Sequence, residues 1–278
     1  MTGQSGDYEM TYAVYYDDAF FFEDPLLRGI GGLGELLRDG TGVEQDIEKA
    51  VMIFEFNAEV LGKGNGYTAL GLLYEAETGT YDGIEQSYDT AMSYFLASYQ
   101  DESLEETDFK GPRYAADLYD SGYTHDDGTW EEPDYVAAEE CYLIAAAGNG
   151  RTYDSTASYK LGVYYEEGRD GIEQDYEQAL YYFELTINNS SVHSTMLGVP
   201  RCYLSLANFY ENGLGTDADI DTAIYYYQMA LAAANDNLAL ENTGSEDSDM
   251  EDVAATATAA LEALGAPLEM ETENETEE

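Results

Sequence analysis

An all-α solenoid of about five helix-pair repeats is the fold class this sequence predicts, and three observations predict it. One motif returns about every forty residues, each copy carries apolar residues at helical spacing, and a tiny residue recurs at a single register upstream. At 278 residues a single compact core is near its upper limit, so an elongated array or two domains is expected.

The motif is read most directly from its loop. GVEQDIEKA from Gly42 returns as GIEQSYDTA from Gly83 and GIEQDYEQA from Gly171, with degenerate copies at Asp134–Ala138 and Asp219–Ala223. The shared alanines, Ala50, Ala91, Ala138, Ala179 and Ala223, are separated by 41, 47, 41 and 44 residues. Each alanine is followed at +3 and +4 by apolar or aromatic side chains: Ile53 and Phe54, Tyr94 and Phe95, Cys141 and Tyr142, Tyr182 and Phe183, Tyr226 and Tyr227. That stripe is an amphipathic helix, here helix B. Upstream, Gly34, Gly71, Ala116, Gly162 and Ala207 each precede two large residues at +2 and +3, on helix A. Glycine inside a helix costs about 1 kcal/mol relative to alanine, so its return at one register predicts close helix approach.

In chain order, Asp7 to Phe22 reads as an aromatic capping helix within residues 1–23, and residues 24–234 hold the five repeats. Uneven steps predict surface loops at Gln100–Pro112, Tyr123–Pro133 and Asn188–Pro200. Residues 235–252 read as an acidic linker and 253–265 as a short alanine-rich helix with little area to bury; 266–278 form a disordered acidic tail.

The order Leu-Gly, two residues, Tyr, a Gly-Val or Gly-Ile loop, Asp, three residues, Ala and then aromatics resembles the Sel-one-like repeat, a relative of the tetratricopeptide repeat. Leu161–Phe183 carries the pattern most fully. Repeat one has Leu37 in place of the tyrosine, and repeat three lacks both the Leu-Gly pair and the Gly-Ile turn. The resemblance implies a right-handed superhelix of antiparallel helix pairs that scaffolds other proteins. Helix A positions that vary while the core does not are then expected to line a groove for a partner protein or peptide. They are Glu35, Leu72, Asp117, Val163 and Asn208, and, one turn later, Arg38, Glu75, Asp120, Glu166 and Glu211. Tyr159 and Tyr203, outside the core registers, are expected as aromatic anchors.

Charge narrows the partner. With 58 acidic and 10 basic residues the net charge is −48, which argues against nucleic-acid binding, since phosphate neutralisation needs Lys and Arg. Two accounts of the acidity stand: a solvation device for a salty cytoplasm, or an electrostatic funnel for a basic partner, including the variant of an acidic decoy that blocks a basic protein. Without a basic leader or a long apolar run, a soluble cytoplasmic location and no membrane association are expected. Oligomeric state is not encoded in any pattern of the sequence.

No cofactor, metal site or catalysis is expected. Gly29, Gly31 and Gly34 match GxGxxG by letter but lack a preceding strand. Asp217–Thr222 begins like a calcium loop, yet Thr222 and Gln228 occupy positions that need Gly and Glu, and Asp219 reads as an N-cap. His125 and His193 read as surface histidines, and Cys141 and Cys202 as reduced apolar residues. Cysteine-rich members of the resembled family are linked to β-lactam hydrolysis, but their recurrent paired cysteines are absent here.

Overall fold

The computed structural model describes residues 30–148, 154–189, 198–239 and 247–269. The proposed capping helix over 1–23, His193, Gly29 and the tail beyond 269 lie outside those residues. The chain divides into two compact units, Met1–Asn149 and Gly150–Glu278.

The first unit contains α1 (Ile30–Asp39), α2 (Ile47–Glu55), α3 (Gly64–Glu75), α4 (Tyr88–Gln100), α5 (Lys110–Ser121) and α6 (Tyr135–Ala147). One turn of wider π geometry, Phe56–Val60, extends α2. The second unit contains α7 (Ser155–Glu167), α8 (Tyr176–Asn189), α9 (Gly198–Asn212), α10 (Ile220–Leu238) and α11 (Asp247–Leu264). In each unit a helix packs mainly on its sequence neighbours, and successive A helices also touch: α1 with α3, α3 with α5, α7 with α9. The all-α repeat solenoid expected from the sequence is what the chain builds.

The anchor alanines Ala50, Ala91, Ala138, Ala179 and Ala223 are all fully buried. A Cβ added at Gly34, Gly71 or Gly162 would lie 2.4, 2.4 or 2.5 Å from the ring of Phe54, Phe95 or Phe183, so helix B can approach only because that side chain is missing. Where the aromatic is tyrosine the small residue is alanine, Ala116 with Tyr142 and Ala207 with Tyr227. There the hydroxyl donates to a helix A carboxylate, Tyr142 to Asp117 at 2.8 Å and Tyr227 to Glu211 at 2.6 Å. Tyrosines at +3 of both helices stack within a repeat: Tyr74 on Tyr94, Tyr165 on Tyr182 and Tyr210 on Tyr226, with centroids 5.8, 5.7 and 5.7 Å apart.

The loop between the helices is set by hydrogen bonds that repeat in register. The backbone N–H of each B-helix cap residue, Asp46, Ser87, Asp134, Asp175 and Asp219, donates to the carbonyl of Leu37, Tyr74, Tyr119, Tyr165 and Tyr210 respectively. The side chains of these cap residues then accept from first-turn N–H groups of the B helices, such as Lys49, Thr90, Ala137, Gln178 and Thr222. The glutamine of the EQ pair closes the other end, since Gln45, Gln86 and Gln174 donate to the carbonyls of Arg38, Glu75 and Glu166. Asp219 is therefore a cap, with Thr222 Oγ1 also bonded to it at 2.8 Å.

Two expectations are corrected. The stretch 235–252 is not a linker throughout, because α10 runs to Leu238 and α11 starts at Asp247. The C-terminal helix docks in spite of its alanines: Met250, Val253, Ala257 and Leu261, all at most 3% exposed, join Val199, Tyr203 and Tyr227 in one core. A small-residue face buries little area per side chain but allows close approach, and acids in its first turn complement the helix dipole. The second correction concerns Tyr123–Pro133, read as loop: it holds an antiparallel hairpin, β1 (Tyr123–Thr124) with β2 (Trp130–Glu131).

Candidate functional site

The expected groove residues divide between the units, and nearly all are half-buried. In the first unit Glu35 is exposed, while Arg38 pairs with its neighbour Asp39 at 2.6 Å, which with its other acidic surroundings raises the guanidinium pKa. Leu72 and Asp120 are half-buried on α3 and α5. Asp117 accepts from Arg113 Nη1 at 2.6 Å as well as from Tyr142. Arg113 lies 3.5 Å above the ring of Tyr114, which fixes the guanidinium in place. The Glu75 carboxylate, by contrast, accepts no hydrogen bond from any described residue; burial, and secondarily the charge of Asp117, push its pKa above the ordinary range, partly opposed by the charge of Arg113.

In the second unit Glu166 is likewise raised by burial, partly opposed by the hydroxyl of Ser205 at 3.1 Å. Val163 packs on the Phe183–Leu206 core. Asn208 accepts from Asn212 through both its carbonyl and its side chain, and Glu211 is occupied by Tyr227. Tyr159 is held against Gly198 and Phe183, and burial pushes its phenol up to about 12. Tyr203 is not an anchor. It is 7% exposed in the core and stacks on Tyr226 at 6.2 Å, because its helix turn faces α10 and α11.

Around Glu75 the first unit forms a cleft of about 330 Å³, bounded by Glu75, Asp117, Ser121, Tyr88, Tyr123 and Trp130. The hairpin supplies its aromatic side. Trp130 is 53% exposed, and its ring lies over Gly122, where a Cβ would come within 2.8 Å of Cζ2 and where φ is +67°. His125 holds the hairpin down: Nδ1 faces Asp89 Oδ1 on α4 and Nε2 faces Glu131 Oε2 at 3.1 Å. Asp126 N–H donates to Asp89 at 2.9 Å, and Ser87 Oγ donates to Asp126 at 2.9 Å. The hydrogen bonds to both carboxylates raise the histidine pKa. His125 is the surface histidine the sequence suggests, but it has two carboxylate partners, Glu131 six residues on and Asp89 36 residues back. The signal for this cleft was the 47-residue step of repeat three, whose extra residues carry the tryptophan.

Other motifs take structural places. Gly31 and Gly34 lie within α1. Cys141 and Cys202 are free and buried, and burial raises both thiols. Among the described residues no helix is long and apolar enough to cross a membrane.

Tandem antiparallel helix pairs, locked by a small residue against an aromatic and by a capped loop, define a helical repeat protein of the tetratricopeptide-like class. The profile of the Sel1 repeat matches residues 31–56, 65–101, 115–150, 155–191 and 200–235. The chain belongs to the Sel1 repeat family, whose members are repeat scaffolds, generally for protein interaction. The crystal structure of a Sel1 repeat protein from Oxalobacter formigenes is similar, with 20% identity and a TM-score of 0.55 over 90% of this chain and 99% of that one. A protective antigen of uropathogenic Escherichia coli displaying an SLR fold is 18% identical, with a TM-score of 0.41 over 98% of this chain and 66% of its own. The first likeness is one of fold. A comparison with curated proteins finds no match.

Proposed function

We propose that this chain is a non-catalytic scaffold that holds basic segments of a partner protein on the helix A surface of each unit. One observation carries the reading: carboxylates recur half-buried on those helices, and Glu75 and Glu166 have no ion pair among the described residues. Withdrawing a charge from water without pairing it costs stability, so a surface shaped only by folding places neutral residues there. Such groups at a shared register are recognition groups, paired when a cationic partner arrives. The net charge of −48 attracts that partner at long range, and the packed repeats present a preformed surface.

Photo-crosslinking tests it. A photoreactive residue at Leu72 or Val163, used in the native host's lysate, is expected to capture a defined basic polypeptide. The adducts are lost when Glu75→Gln and Glu166→Gln are combined. Equal capture from Tyr181 on the B-helix exterior, or capture indifferent to the two glutamines, overturns the proposal.

A further inference from the structure

The cleft of the first unit has a chemistry more specific than a negative surface. Its charged residues do not balance. Arg113 is neutralised by Asp117 through a 2.6 Å contact, and Asp117 is further engaged by the Tyr142 hydroxyl. Glu75 is left as a surplus carboxylate at the same cleft, half-buried and without a hydrogen bond from any described residue. The same cleft is lined by aromatic rings, Tyr88 and Tyr123 with centroids 6.3 Å apart, and Trp130. Ring faces attract cations, most strongly the indole, and a single anion in the same cleft fixes one positive group.

We infer that this cleft is a binding pocket for one arginine side chain of a partner protein, its guanidinium paired with Glu75 and stacked on the Trp130 side. The inference rests on the scaffold reading above and names its contact in repeat three. Size agrees: about 330 Å³ is at the small end of the ~300–1,000 Å³ range of ligand pockets, suited to one side chain. Arginine fits better than lysine because a planar, weakly hydrated fork can pair with a carboxylate while lying on a ring. The hairpin is held by three contacts to α4 and its N-cap, through His125, Asp126 and Ser87, so the aromatic side is in place before the ligand arrives. Burial keeps the Glu75 carboxylate poorly solvated, and an arriving cation relieves that penalty.

Trp130 is the chain's one tryptophan, so its fluorescence reports on this pocket alone. The probe is Nα-acetyl-arginine methylamide, with the citrulline analogue as an uncharged isostere. The expected result is a saturable change in Trp130 emission with arginine, at least about tenfold weaker with citrulline. Glu75→Gln, which removes no hydrogen bond that holds the fold, weakens arginine binding about tenfold, and Glu48→Gln, at an exposed position of α2, leaves it unchanged. Equal responses to arginine and citrulline, or equal losses from Glu75→Gln and Glu48→Gln, overturn the pocket. Crosslinking at Val163 is a separate readout in the other unit. If it still captures a polypeptide while arginine fails to bind, the pocket falls and the scaffold stands; the reverse pattern removes the scaffold and keeps the pocket.

Discussion

Substituting Gly71 by alanine tests whether the recurring small residue exists to admit the phenylalanine of helix B. The new Cβ would lie 2.4 and 2.5 Å from two ring carbons of Phe95, about an ångström or more inside the ~3.5–4.0 Å contact distance of carbon pairs. Phe95 cannot yield, because it is fully buried and stacked on Tyr114 with centroids 5.3 Å apart. Overpacking of this kind costs about 1–3 kcal/mol, and alanine returns about 1 kcal/mol of helix propensity. The net expectation is a loss of up to about 2 kcal/mol. Gly32, also helical, has nothing within 4 Å of the place a methyl group would take, so Gly32→Ala keeps the propensity gain and stabilises by about 0.5–1 kcal/mol. Urea unfolding followed by circular dichroism at fixed salt measures both. Two midpoints that move in the same direction refute the packing argument, since propensity alone predicts the same sign at both sites.

Further outcomes follow from the caps, the hairpin and the charge. Asp175→Ala removes the acceptor for the Glu177 and Gln178 N–H groups and is expected to cost about 1 kcal/mol, read by the same unfolding curves; a change within error denies the cap its role. The His125 clasp has a pH window. Because its pKa is raised by Glu131 and Asp89, its contribution is complete below the unfolded value of about 6.5 and is lost as pH rises through the higher folded value. Asp89, lowered chiefly by the Asp126 N–H and then by His125, contributes above its unfolded value and is lost as pH falls through the folded one. Hydrogen exchange at the His125 and Asp126 amides, which donate to Thr129 and Asp89, corrected for the intrinsic pH dependence of exchange, is therefore expected to speed up at both extremes, and protection independent of pH counts against the clasp. Raising salt from about 0.02 to 1 M, which shortens the Debye length to about 3 Å, is expected to raise Tm markedly; a flat profile refutes self-repulsion as a destabilising force in a chain of net charge −48.

What was legible in the sequence is what depends on neighbours a few residues away. Alanine at each anchor, the +3 and +4 aromatics and the cap aspartates state helix, face and start within one turn, and the repetition of each removes chance. The Gln of the EQ pair was visible as a repeated letter, but its bond to the carbonyl of the preceding helix needs the loop's path in three dimensions. The candidate groove residues were legible as positions, since register places them on helix A; their differences were not. Glu75 and Asp117 read alike as acids, and only the placement of Arg113 and Tyr142 neutralises one and leaves the other. Trp130 and His125 depend on a hairpin folding back over Gly122 toward Asp89, a contact set by packing across 36 residues. The docking of α11 was hidden for a related reason, because alanine counts report area lost and not the closeness it permits.

A stack of like layers has no intrinsic last member: each layer offers the next the same greasy ledge. Helix α11 answers that ledge on its inner side with Met250, Val253, Ala257 and Leu261, while Asp249, Glu251, Asp252, Thr256 and Glu262 face the solvent. This helix is thus sticky on one side and slippery on the other. Without it, Val199, Tyr203 and Tyr227 would stand as a shelf open to water. The modest alanine helix is what keeps that shelf out of water.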